Sequence, residues 1–135
     1  MPSPATILLS SFGLACLLLL PPLQAATDFE CERGVKVAAS IGEGVTMHSC
    51  SWEQTPGKFV RTGPLRLVKH DILILQLQTD SNGKLHGEYR EWSDAGMLTE
   101  SGYYQDGLKE GEWRSIDANG LIRVIVYRAG VAQNQ

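Results

Sequence analysis

Apolar residues in this chain come in short bursts separated by glycine. The segments between glycines run only five to eight residues, as at 88–93, 97–101 and 112–116. Such lengths suit strands and are too short for ordinary helices. Ser81-Asn82-Gly83, Asp94-Ala95-Gly96, Gln105-Asp106-Gly107 and Ala118-Asn119-Gly120 separate the bursts. Glycine reaches positive φ without steric cost and Asn or Asp tolerates it, so these tripeptides predict hairpin turns. Earlier, segments 34–40 and 45–52 are rich in Val and Thr and flank Ile41-Gly42-Glu43-Gly44, which predicts a β-hairpin. Residues 26–30 read as a short, polar, mobile lead-in. Residues 53–58, around Thr55-Pro56-Gly57, read as a loop. Between them and the glycine-rich half lies the apolar segment 59–78. Its run Ile72-Leu73-Ile74-Leu75-Gln76-Leu77-Gln78 predicts a strand buried on both faces, or one covered by the N-terminal hairpin.

The bursts repeat. Gly83 and Gly107, Gly87 and Gly111, and Gly96 and Gly120 are each 24 residues apart. Laying 83–106 over 107–130 also matches Glu88 with Glu112, Arg90 with Arg114 and Tyr103 with Tyr127. Tyr89/Trp113, Trp92/Ile116, Met97/Leu121 and Leu98/Ile122 keep their character. A fixed period of this kind marks a repeat architecture. One period further back stand Gly63 and Arg66, but Ile72 occupies the place of Gly96 and Gly120. The units are therefore 59–82 (degenerate, read as a cap at the start of the array), 83–106 and 107–130, each a pair of strands. Tyr89 and Trp92, three apart, face opposite sides or flank a bulge.

His86-Gly87-Glu88-Tyr89-Arg90-Glu91-Trp92, Gly96-Met97-Leu98, Gly102-Tyr103-Tyr104-Gln105-Asp106-Gly107 and Glu110-Gly111-Glu112-Trp113 together resemble the MORN-type repeat. The variant they are most similar to is the bacterial one often called a toxin–antitoxin-associated repeat. The resemblance covers about 63–130 and departs from the pattern at Val126 and Gly130. It implies a sheet of β-hairpin repeats used for interaction or scaffolding, and it implies no catalytic residues. The Cys31 to Cys50 segment also looks like that of exported members of this group.

Composition adds a compartment. Residues 1–25 carry no charge, are mostly apolar from 7 to 20, and end in Leu23-Gln24-Ala25-Ala26, which predicts a signal peptide cleaved after Ala25 or Ala26. The surroundings of Cys16 do not favour a lipidated cysteine. Cleavage leaves Cys31 and Cys50, an even count that predicts a disulfide in a periplasmic or secreted protein. A metal site of Cys31, Cys50 and His48 lacks a fourth ligand. The formal net charge of −3 argues against nucleic acid as a partner.

Candidate chemistry is sparse. Arg66, Arg90 and Arg114 recur at the period and could form a column that grips carboxylates or phosphates, or one neutralised by Glu88 and Glu112 two residues earlier. The aromatics Tyr89, Trp92, Tyr103, Tyr104, Trp113 and Tyr127 could form a binding face or stack as the core of a thin sheet, and the core is the preferred reading. Tyr104 is the one expected to point outward. Asp80-x-Asn82-Gly83 and Asp117-x-Asn119-Gly120 echo a calcium loop, but Tyr89 and Val126 stand where its bidentate Glu belongs. His48, His70 and His86 share no metal or nucleophile–base spacing. The expectation is an all-β antiparallel meander of MORN-like hairpins behind a disulfide-tied N-terminal hairpin at 26–58. It needs no cofactor and no metal, and is not an enzyme. Its partner is a protein, with self-association through the C-terminal edge strand at 121–127 as one form. The alternative is binding of phospholipid head groups or glycan at the envelope surface through the aromatic and arginine columns, with Arg66, Arg90, Arg114 and Tyr104 the candidate contacts.

Overall fold

A computed structural model describes residues 27–133. The predicted signal peptide, its cleavage site and Cys16 lie outside that range. From Val35 onward the chain forms strands joined by turns: β1 Val35–Gly42, β2 Val45–Thr55, β3 Lys58–Lys69, β4 Ile72–Thr79, β5 Gly87–Trp92, β6 Leu98–Gln105, β7 Leu108–Ile116, β8 Ile122–Arg128 and β9 Val131–Ala132. They pair in chain order into one open antiparallel sheet of nine strands.

Three of the sequence expectations are corrected by this sheet. Residues 53–58 are not a loop: Thr55 pairs with Lys58, and Pro56-Gly57 close a tight turn with φ +79° at Gly57. The segment 72–78 is not buried on both faces, nor covered by the N-terminal hairpin. That hairpin joins the sheet edge to edge through β2 and β3, so it adds strands beside β4 and no layer above it. Of the lead-in, the described residues 27–30 are not simply loose, because Phe29 is only 9% exposed. It lies between Lys36 Nζ, 5.2 Å from its ring centre, and the Arg66 guanidinium, 5.4 Å away. The predicted bridge between Cys31 and Cys50 is present and ties this segment down.

The three repeat units become three hairpins, β3–β4, β5–β6 and β7–β8. Arg66 pairs with Gln76, Arg90 with Ser101 and Arg114 with Val124. The missing glycine of the first unit has a local cause. Its turn is the two-residue His70-Asp71, both at positive φ, and Lys69 pairs directly with Ile72. The later two units use a longer turn. Ser93 N donates to Met97 O at 2.8 Å and Gly96 N to Ser93 O at 2.8 Å, and Asp117, Gly120 and Leu121 repeat the arrangement. Gly96 (φ +76°) and Gly120 (φ +81°) close these turns in the left-handed region that glycine enters freely.

In β6, Glu91 faces Glu100 but Trp92 faces Leu98, leaving Thr99 as an extra bulged residue. The β7–β8 ladder runs from Gly111–Tyr127 to Ile116–Ile122 with no such shift. Gly87 therefore faces Tyr104, whereas Gly111 faces Tyr127. The true counterpart of Tyr127 is Tyr104, 23 residues earlier, and not Tyr103.

Candidate interaction surface

Residues paired directly across an antiparallel sheet project from the same face. One row crosses five strands: Arg66, Gln76, Arg90, Ser101 and Arg114. The arginine column exists in register, its members two strands apart and so roughly 9.5 Å from one another. We call this the arginine face. Glu88 and Glu112 share it and engage the arginines: Arg90 Nη2 lies 3.0 Å from Glu88 Oε2, and Arg114 Nε donates to Glu112 Oε1 at 2.7 Å. Arg66 differs, being partly buried beside Phe29, and that burial lowers its pKa. Its Nη1 finds no acceptor among the described residues. The column thus consists of two neutralised surface arginines and one that is covered.

The opposite face carries the aromatics. Tyr104 points inward, in contrast to the sequence expectation. Its ring lies edge-on to Trp113 at 5.0 Å and to Tyr89 at 5.7 Å. The outward residue is Tyr103, 42% exposed, with His86 its aromatic neighbour at 6.1 Å. Strand alternation decides this: Tyr89 faces Gly102, so Tyr104, two residues on, shares its side and Tyr103 takes the other. Trp113, 3% exposed, is the centre of the cluster and also meets Tyr127 at 6.3 Å. Its indole lies over Gly102, where any Cβ would overlap it. Trp113 Nε1 donates to the Tyr103 carbonyl at 3.1 Å, which satisfies its one polar atom.

Lys109, which the sequence did not single out, completes this cluster. Its Nζ sits 3.8 Å above the Trp113 ring and 2.9 Å from Glu100 Oε1. Tyr89 Oη donates to Glu91 Oε2 at 3.0 Å. Burial, with that carboxylate second, pushes the Tyr89 pKa up. These contacts make the aromatic face a small core, so the preferred reading of that set describes Tyr89, Tyr104, Trp113 and Tyr127.

The other polar motifs resolve into structural roles. Asp80 Oδ1 accepts from Asn82 N at 2.8 Å and from Lys84 N at 2.9 Å, and Asp117 Oδ1 accepts from Asn119 N and Leu121 N, both at 2.9 Å. The hydrogen bond from Lys84 is the main cause that holds the Asp80 carboxyl below its usual range. His48, His70 and Asp71 border an open cavity of about 350 Å³ on the arginine face side of β2 and β3. No group of three or more His, Cys, Asp or Glu suited to a metal ion occurs among the described residues.

What remains for contact is apolar and dispersed. Only Phe29, Cys50, Val68 and Trp113 are buried among the apolar side chains described, while Phe59, Tyr103, Ile122 and Val35 stand open. Comparison with protein families, with curated proteins and with solved structures finds no match to this chain.

Proposed function

We propose that the chain is a non-catalytic, exported repeat protein of the MORN type that mediates protein–protein interaction or scaffolding in the bacterial cell envelope. The observation that carries this reading is the sheet itself: a single layer whose two faces and outer strand leave large apolar side chains in water. Phe59 is 65% exposed and Ile122 59%. Contiguous exposed apolar surface marks interaction sites, and Ile122 and Val124, two residues apart on β8 and both exposed, share one side of the sheet. The recurrence of the Arg66–Gln76 pair geometry at Arg90–Ser101 and Arg114–Val124 supports the repeat assignment. The Cys31–Cys50 bridge is compatible with an oxidising compartment. Head-group binding is the weaker reading, because Glu88 and Glu112 already engage two of the three arginines it would use.

The test is photo-cross-linking in cells, with the reactive group placed at Phe59 or Tyr103 of the full chain carrying its own leader. A discrete adduct at either position is the expected result. Uncross-linked protein at both positions would remove the interaction role.

A further inference from the structure

The two ends of the sheet are built differently. At the C-terminal end, β9 covers part of β8: Ala132 pairs with Tyr127, Val131 with Arg128, and Gln133 N donates to Val126 O at 2.8 Å. The strand expected from sequence to be the free edge is therefore occupied over its last residues. At the other end, β1 is the outermost strand among the described residues, and every one of its residues is exposed among them. Strand edges exposed in this way are normally guarded by proline, by charge or by a covering segment. β1 has no proline and a single charged side chain, Lys36, which is drawn over the Phe29 ring at 5.2 Å. Its register break falls at the end, between Ser40 and Gly42 and around Ile41, so the regular stretch is Val35 to Ser40.

The sequence of β1 is also self-complementary. In an antiparallel pair of identical strands related by a two-fold axis normal to the sheet, each residue faces one on the same side of the sheet. An axis at Ala38 places Val37 opposite Ala39 and Lys36 opposite Ser40 of the second copy, all within the regular stretch. No like charges meet. Ala39 pairs with Met47 and Val37 with Ser49, so the same axis joins the row Leu67–Met47–Ala39 of one sheet to Val37–Ser49–Leu65 of the next.

We propose that the partner of β1 is a second copy of this chain, paired antiparallel through β1 about Ala38 to give one continuous sheet of eighteen strands, twice the nine of one chain. The inference goes beyond the interaction surface proposed above: it concerns the β1 edge, on a strand that carries neither Phe59 nor Tyr103, and names the partner there. One strand pair buries less than the roughly 1,200 Å² of a standard stable interface, so the dimer forms reversibly with concentration.

Sedimentation velocity of the oxidised, purified chain tests this from micromolar to sub-millimolar concentration. The weight-average mass should climb from one copy towards two. Ala38→Lys and Ala38→Glu each place like charges face to face at the axis, so each variant alone should stay monomeric. Ala38 is exposed, and an unchanged circular dichroism spectrum would show that each variant folds. Mixing the two should restore the dimer, because Lys then faces Glu. A wild type that stays monomeric throughout would overturn the inference, as would variants that dimerise as well as the wild type. Adducts to other proteins at Phe59 or Tyr103, with a monomeric wild type, would sink this pairing and leave the interaction role standing.

Discussion

Trp113 shows how much of this fold depends on single side chains. It is stacked among Tyr89, Tyr104 and Tyr127, lies under Lys109 and occupies the space that Gly102 leaves. Truncating a buried aromatic costs about 3–5 kcal/mol, against a typical domain stability of about 5–15 kcal/mol. Trp113→Ala should therefore lower the urea midpoint steeply, whereas Tyr103→Ala should move it little. Equal shifts would place Tyr103 in the core and contradict the assignment of faces. Tyr89 supplies a test by pH. Its folded pKa is raised above the ordinary value near 10, so the unfolded chain ionises first. The stabilising effect is complete below about pH 10 and is lost as pH rises beyond it. Urea midpoints should fall through that window, and Tyr89→Phe should flatten part of the fall. At this scale the sequence was half legible. The periodic Arg and Glu positions came through because regular strands preserve a two-residue alternation. The choice between Tyr103 and Tyr104 did not, because it depends on one bulged residue.

Turns and the N-terminal strap set the stability of the elements. Asp80 and Asp117 each hold two backbone N–H groups of their own turn. Asp117→Ala should cost about 1–2 kcal/mol by leaving those donors to water. A refolding midpoint identical to wild type would show the turn to be set by Gly120 alone. The disulfide closes a separation of 19 residues and should contribute about 3 kcal/mol on chain-entropy grounds. Reduction should therefore lower the urea midpoint and also release Phe29 from between Lys36 and Arg66, which proteolysis near residues 27–33 would report. Hairpins were readable from sequence because Gly, Asn and Asp mark turns by their own conformational freedom. The tight turn at Pro56-Gly57 and the strap were not, since one needs the pairing partner of Thr55 and the other needs the position of Arg66 on a distant strand.

For the molecule as a whole, the shortest ladder inside the sheet, β9 apart, runs between β4 and β5. Leu75–Glu91 and Gln76–Arg90 pair there, with a lone Thr79–Leu85 bridge beyond them, whereas β3 and β4 pair from Gly63–Thr79 to Lys69–Ile72. The Lys69–Asp94 ion pair, 2.8 Å, spans this line from the end of β3 to the turn after β5. Hydrogen exchange should reveal two cooperative units that meet at this line, one around the disulfide and one around Trp113. Uniform protection across β4 and β5 would refute that division. The meander was legible at this scale because each unit announced itself by period. The exposure of both faces was not, since apolar residues alone do not tell whether a second layer will cover them. The bulge at Thr99 carries a last consequence. The frame that duplicated units must keep is the sidedness of the sheet, and a unit can gain or lose a residue at a bulge without losing that frame. Spacings of 23 and 24 residues then coexist in one array, and a chain of this kind can lengthen or shorten by copying errors that would scramble a strictly counted repeat.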